Sequence, residues 1–373
     1  MKILFINLPY YGHVIPTLGL VKELIRTGNQ VTYLMPFDWK DKIAECGAEF
    51  AGYRNHKKLD EQIKNAYAAA VKLADEFDLI LYEQFFFLGK HLAERFSKPV
   101  VRIFTAPATN HRLMQEYLQA GGALGIFRFP WIGRMWTKSI AGDIPLKTDC
   151  WLSEIIENPP ELNLVYTLKK YQPYAEEFSE EHFKFLGVSS YERQEDINFM
   201  IPDNKPLIYI SFGTVIKGGK RFFKECFEAF KNENVNVILS VGNSVRLSLL
   251  GNIPANVMVY PYVPQLRVLK SSDVFITHGG MNSISEALSA GVPMIVIPFM
   301  SDQPTNARRI EELGLGVQMS YKKLTSDALR TTVNSLLKNE DIRSNVKEMQ
   351  QEMLHCPGNE AGVKWIIKYY HNT

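Results

Sequence analysis

The sequence predicts an α/β protein made of two doubly wound, Rossmann-like parallel sheets facing a cleft. Three observations predict it. Short apolar runs alternate with amphipathic helical patterns in both halves of the chain. Those runs are rich in β-branched residues and lack strict apolar–polar alternation, as strands buried on both faces do. The 373 residues also exceed the roughly 250–300 at which a single hydrophobic core stops growing.

In the first half, residues 2–8, 30–35, 78–82, 99–104 and 163–167 read as strands. Helical patterns at 14–27, 39–46, 59–76 and 86–96 fall between them, so each strand–helix–strand crossover is right-handed. A polar, weakly patterned stretch from Ser189 to Asp196 interrupts the series and places a linker near 188–204. Strands resume at 207–212, 235–241, 257–260, 274–277 and 294–298, with helices at 220–231, 282–290, 305–313 and 327–338. A last helical pattern, 360–370, carries Val363, Ile366, Ile367 and Tyr370 at helical spacing, and the sequence leaves open which domain it packs on. The expected divisions are 1–200, 201–355 and 356–373. Ligands of such sheets sit at the carboxyl ends of the strands, here in the cleft between domains.

Residues 121–142 break the alternation. Phe127, Phe129, Trp131, Met135 and Trp136 are interleaved there with Arg128, Arg134 and Lys138. Three readings fit: a packed insertion over the core, an apolar pocket, or a loop that touches a membrane.

Composition is that of an ordinary globular chain, 46% hydrophobic and 22% charged, and a formal charge of +2 is too small for a nucleic-acid-binding face. Cys46, Cys150, Cys226 and Cys356 lie far apart with no Cys-x-x-Cys pair, which gives neither a zinc site nor a disulfide framework. The first residues lack the long apolar core and small-residue cleavage site of a signal peptide. No apolar run reaches the ~20 residues that span a bilayer, so a cytoplasmic protein without an integral membrane segment is expected. The oligomeric state is not legible in any of these features.

Several familiar motifs are missing. No Gly-x-Gly-x-x-Gly follows the first strand and no Gly-x-Ser-x-Gly elbow occurs. Residues 213–220 resemble an NTPase phosphate loop but are one residue too long, with Arg221 where a magnesium-binding Ser or Thr belongs. No Asp-x-Asp is present to anchor a nucleotide sugar through a metal.

The informative stretch runs from Tyr262 to Gln303. A strand ending at Thr277 is followed by His278, Gly279, Gly280, Met281, Asn282 and Ser283, and then by a helix. Two glycines let a backbone approach a ligand, with Asn282 or Ser283 as cap or first-turn residue. The amides and dipole of that helix start would bind an anion unaided by metal. His278 adds a side-chain donor. Glu286, one turn on, can accept from a ribose diol, and Asp302 and Gln303, after the next strand, can read sugar hydroxyls.

These residues, with Tyr262, Val263, Pro264 and Gln265 before them and Gly291, Pro293, Asn306 and Ala307 after, resemble the donor signature of the UDP-glycosyltransferase family, which has the GT-B fold. The similarity is greatest to its bacterial macrolide-glycosyltransferase branch. It extends to Gly12, His13, Val14, Pro16, Thr17 and Leu18, and to the run from Ser211 to Thr214. The resemblance implies an inverting hexosyltransferase that needs no metal or cofactor beyond its co-substrate, a UDP- or dTDP-sugar. It implies that Tyr262, with Val263 and Gln265 beside it, meets the base. His278, Gly280, Asn282 and Ser283 would hold the diphosphate with Thr214 nearby. Glu286 would hold the ribose, and Asp302 and Gln303 the sugar. The acceptor would be a small, largely apolar hydroxyl compound such as a macrolide or phenol.

It also implies that His13, in the turn between the first strand and first helix, is the general base. An imidazole with an ordinary pKa near 6.5 suits that task at neutral pH. Such a base wants a carboxylate on its other nitrogen. The family has an aspartate after the strand at 78–82; this chain has Glu83, whose extra methylene changes the reach by about an ångström. Asp78 starts the same strand and belongs at the opposite edge of the sheet. Two rival functions stay open at this point: a nucleotide-sugar epimerase, which would act on the donor alone, and a non-catalytic donor-binding relative. A lipid or sterol glycosyltransferase at a membrane surface is a variant of the main reading.

Overall fold

The structure, a computed structural model, describes residues 1–188, 198–202, 204–213, 220–242, 245 and 250–373. Most of the expected linker, the polar stretch from 189 and Thr214 lie outside them. The chain divides into two compact units. One comprises Met1–Glu192 together with Cys356–Thr373, and the other Arg193–His355.

The first unit runs β1 (Lys2–Ile6), α1 (Tyr11–Arg26), β2 (Gln30–Pro36), α2 (Lys40–Ala44), β3 (Glu49–Tyr53), α3 (Leu59–Leu73), β4 (Leu79–Glu83), α4 (Gly89–Arg95), β5 (Val100–Phe104), α5 (His111–Ala120), α6 (Pro130–Ala141), α7 (Trp151–Glu157), β6 (Leu162–Val165) and β7 (Phe183–Phe185). The second runs β8 (Leu207–Ser211), α8 (Lys220–Phe230), β9 (Asn236–Ser240), β10 (Val257–Tyr260), α9 (Gln265–Lys270), β11 (Val274–Thr277), α10 (Met281–Ala290), β12 (Met294–Val296), α11 (Gln303–Glu312), β13 (Gly316–Gln318), α12 (Ser326–Lys338) and α13 (Glu340–Leu354). A final helix, α14 (Gly358–Asn372), returns to the first unit.

Each unit holds one sheet, and all its strand pairs are parallel. The strand orders are β3-β2-β1-β4-β5-β6-β7 and β10-β9-β8-β11-β12-β13. In both, the first strand of the unit lies inside the sheet, the doubly wound arrangement expected from the alternation of elements. Every residue of β4, β5 and β8 is buried, because helices cover both faces of a parallel sheet. Two apolar clusters flank the first sheet. One joins Ile3, Phe5 and Leu81 to α1; the other joins Leu4, Ile80 and Tyr82 to α3, α4 and α7.

Differences from the expected elements have local causes. Strands β3, β7 and β13 were not anticipated. All three are sheet edges and only partly buried, as in the Phe183–Phe185 strand. Edge strands do not produce the continuous apolar run that betrays a central one. Helices α5, α6, α7, α9 and α13 were likewise missed. In α13 only Val346, Met349 and Met353 are buried over fifteen residues, a thin stripe. Residues 121–142 contain α6, whose Gly133, Thr137, Ile140 and Ala141 are buried. The segment is therefore a packed insertion on its inner side.

Helix α14 packs on α1. Val363 and Ile366 are buried in the same cluster as Leu18, Leu20 and Leu24. The Gly358 N–H donates to the Leu186 carbonyl (2.9 Å) and the Tyr166 hydroxyl to Asn359 Oδ1 (2.8 Å). Truncating Ile366 to alanine should leave a cavity between the two helices and lower the stability of the first unit by about 2–5 kcal/mol. Chemical denaturation would read this directly, and an unchanged midpoint would show that α14 contributes little to that core.

Candidate functional site

In the first unit the informative residues gather where β1, β4 and β5 end. Tyr10 caps α1 in extended conformation, its carbonyl accepting from the N–H groups of His13 (2.8 Å) and Val14 (3.0 Å). His13 is thus the third residue of α1 rather than part of the preceding turn. The helix begins three residues earlier than its apolar pattern does, since Tyr11 and Gly12 carry no core-facing signal. Asn7 fixes the backbone here. Its buried amide donates to the His13 carbonyl (3.0 Å) and to the Tyr33 hydroxyl (2.9 Å), which also meets Thr17 Oγ1 at 2.8 Å.

The imidazole is held by two side chains. His13 Nδ1 lies 2.9 Å from Glu83 Oε1 and 2.9 Å from Thr105 Oγ1. Glu83 is fully buried while the His13 side chain remains 23% exposed. The second carboxylate oxygen accepts the Phe85 N–H at 3.0 Å, and the Thr105 hydroxyl donates weakly to Oε1 at 3.3 Å. Glu83 is the last residue of β4, paired with Ile103, and not a residue beyond the strand. Pairing with β5 simply continues one step further than the apolar run. An acceptor at Nδ1 assigns the proton there, and this tautomer puts the basic lone pair on Nε2. Phe85 and Tyr10 meet the ring edge-on, at centroid distances of 5.0 and 5.9 Å. Asp78 lies at the other end of β4, accepting from the Lys2 N–H at 2.7 Å.

Sequence reasoning passed over Asn7 and Thr105. Their signal was positional: each directly follows a strand end in a sheet whose ligands sit at that edge.

In the second unit, β11 ends at Thr277 and α10 begins at Met281. Its N-cap is Gly280, and no side chain caps the helix. Of the two places expected for Asn282 and Ser283, cap or first turn, they take the first turn, as the second and third residues of the helix. A glycine cap keeps the helix start open around its amides. Gly279 has φ +88°, and a Cβ there would fall 2.6 Å from Val296 Cγ1. At Gly280 a Cβ would fall 2.6 Å from His278 Nε2. The two glycines therefore admit the imidazole and β12 as much as any ligand. His278 is part-exposed, but its Nδ1 is buried and has no hydrogen-bond partner among the described residues. Burial lowers its pKa to about 4, with the nearby Ser211 backbone opposing. The ring is neutral at neutral pH.

Around this turn the predicted donor residues fall into two groups. Glu286, far from being a solvated residue, is 9% exposed and accepts from Gln265 Nε2 at 2.6 Å; Gln265 Oε1 in turn accepts from the Tyr209 hydroxyl at 2.9 Å. Ser283 Oγ lies 3.5 Å from the same Gln265 nitrogen. Val263 is buried and anchors the segment from which Tyr262 projects, 67% exposed. On the other side, Asn306 donates to both the Gly279 carbonyl and Asp302 Oδ2, each at 2.9 Å, tying α11 to the glycine turn. Gln303, expected at the sugar, also serves the fold. Its Oε1 accepts from the Phe299 and Met300 N–H groups (2.9 and 3.3 Å) and so is committed to the protein. The loop before α11 carries Ser301 at φ +59° and needs an acceptor for its amides. Only the Nε2 end of Gln303 is left to address a ligand. Among the described residues no group of three or more His, Cys, Asp or Glu side chains is arranged to hold a metal ion.

Residues 226–367 match the family described as erythromycin biosynthesis protein CIII-like, C-terminal domain. The chain is 33% identical to the NDP-glycosyltransferase YjiC of Bacillus subtilis (strain 168), over 97% of this chain and 95% of that one. Among solved structures it resembles the glycotransferase of kitacinnamycin (TM-score 0.84, 25% identity, 99% of this chain and 98% of the other). It also resembles CalG4, the calicheamicin glycosyltransferase (TM-score 0.81, 27% identity, with the same coverage).

The buried state of His278 makes a prediction in pH. Its folded pKa lies below the unfolded value near 6.5, so on acidification the unfolded chain takes up the proton first. The ring's contribution to stability is present above pH 6.5 and is lost as pH falls toward 4. Followed by NMR, the His278 ring should titrate near pH 4; a midpoint near 6.5 would mean that it is solvated.

Proposed function

We propose, on the premise that the chain belongs to the UDP-glycosyltransferase family of GT-B enzymes, that it is an inverting enzyme. It transfers a hexose from a UDP- or dTDP-sugar to a hydroxyl of a small, largely apolar acceptor, with His13 as general base. The observation that carries this is the 2.9 Å contact between His13 Nδ1 and the fully buried Glu83 carboxylate. It does for the imidazole what a triad carboxylate does: it fixes the tautomer and stabilises the imidazolium as it forms.

In the reaction His13 Nε2 takes the proton of the acceptor hydroxyl. The oxygen attacks the anomeric carbon from the face opposite the nucleoside diphosphate, the new C–O bond forms, and the bond to the diphosphate breaks. An α-linked donor gives a β-linked product. The leaving group is received by the uncapped amides of α10, by Asn282 and Ser283, and by His278, which is neutral and can only donate or accept hydrogen bonds. Glu286, already oriented by Gln265, takes the ribose hydroxyls. Tyr262 offers an exposed ring to the base. Asp302 and the Gln303 amide nitrogen address the sugar. Thr214, outside the described residues, keeps its assignment near the phosphates from the resemblance alone. The apolar acceptor class is supported by Phe85 and Tyr10 beside His13, and by relatives named for calicheamicin and kitacinnamycin.

The test is an incubation of UDP- and dTDP-hexoses with and without phenolic and macrolide acceptors, with the glycoside identified by mass and its anomeric configuration by NMR. Donor conversion without an acceptor would favour an epimerase and sink the proposal. The variant His13→Ala should turn over about 10²–10⁴-fold more slowly, with nucleotide binding by the second unit unchanged. Undiminished turnover would remove His13 from the mechanism. Glu83→Asp, although it restores the family residue, should also slow turnover, by about tenfold or more, because a carboxylate withdrawn about an ångström no longer reaches Nδ1. Wild-type kinetics in that variant would show that the extra methylene is immaterial.

A further inference from the structure

We propose that the outer face of residues 126–138 is a docking surface for an anionic lipid bilayer, on which the first unit lies without crossing. Eleven large hydrophobic side chains are exposed among the described residues, and four of them fall in one ten-residue stretch: Ile126, Phe129, Trp131 and Met135, 45–64% exposed. Folding does not account for them. The inner side of the segment is already fixed by Phe127 and Trp136, which meet each other at 5.4 Å and Trp151 at 5.2 and 5.0 Å, and by the buried side of α6. The insertion is therefore packed on its inner side, and these four side chains are left turned to the outside.

What covers that face is indicated by its charges. Between Ile126 and Lys138 there are three cations, Arg128, Arg134 and Lys138, and no carboxylate. Each is exposed. Arg128 lies 4.9 Å over the Phe129 ring, and Arg134 has a loose pair with the exposed Asp149 at 3.7 Å. On α6, Trp131 and Met135 lie one turn apart, with Arg134 and Lys138 on the same side. Exposed aromatic rings and a thioether interleaved with cations suit the headgroup region of an anionic membrane, where rings sit at the boundary and ammonium and guanidinium groups meet phosphates. No helix among the described residues is long and apolar enough to cross a membrane, so the mode is to lie on the surface. The inference stands whether or not the chain transfers a sugar.

The test uses the full chain and vesicles of phosphatidylcholine with or without phosphatidylglycerol. The protein should co-sediment with the anionic vesicles at low salt, more weakly with the neutral ones, and be released by added salt. Two variants should lower the affinity: Trp131→Ser with Met135→Ser, and Arg128→Gln with Arg134→Gln and Lys138→Gln. The charge variant should cost about tenfold to a hundredfold. All five positions are exposed, so thermal melting should be unchanged and binding loss is read separately from unfolding. Absence of binding to anionic vesicles overturns the proposal, as does binding that both variants retain. Self-association that the Trp131 and Met135 replacements abolish would assign the face to a second copy instead and would equally overturn it.

Discussion

Both sheets are wholly parallel, and most of what this protein does follows from that. A parallel ladder ends with all its strands pointing the same way, so each sheet has one edge where loops leave strands and helices begin. At that edge lie side chains that have just ceased to be core, beside amides that have not yet found a helical partner. His13, Glu83 and Thr105 lie there in the first unit, and His278, Glu286, Asp302 and Gln303 in the second. Asp78, at the opposite end of β4, is occupied only with closing the ladder. A carboxylate's place along its strand thus decides whether it is structural or chemical.

The His13 arrangement shows how one methylene is absorbed. A glutamate at the end of β4 reaches the imidazole with one oxygen while its other oxygen accepts from the Phe85 amide. Thr105 fills the remaining angle between the two groups. The contact is shared by three side chains, on α1, at the end of β4 and just past β5, and Asn7 holds the backbone beneath it from a fourth position. Orientation of the ring is therefore a property of the sheet edge more than of any single partner.

Much of this was legible in the sequence, for physical reasons that also mark where legibility stops. Central strands such as β1, β4, β8 and β11 announce themselves because burial on both faces demands unbroken apolar runs. The edge strands β3, β7 and β13 face solvent along one side and leave no such run. The motif residues from Tyr262 to Gln303 could be found because ligand chemistry restricts their types and order. The division of labour inside Gln303 could not be, since one amide oxygen satisfying two loop amides leaves no trace in residue type. Which residue caps α10 is not legible for a related reason. Asn282 and Ser283 are ordinary capping residues, and only the backbone at Gly280 shows that the helix starts before them. Thr105 and Asn7 are common residues made informative by where a strand ends, a boundary that sequence patterns place only to within a residue or two.

The return of α14 to α1 has a consequence for biosynthesis. Leu20 and Leu186 receive Gly362 and its neighbours, yet the whole second unit is translated between them. At about 5–20 residues per second the ribosome needs on the order of ten to thirty seconds to make that intervening unit. Throughout that interval the emerging amino-terminal fold displays a greasy, half-finished flank. The nascent protein must therefore keep its earliest-made portion protected until α14 has been added.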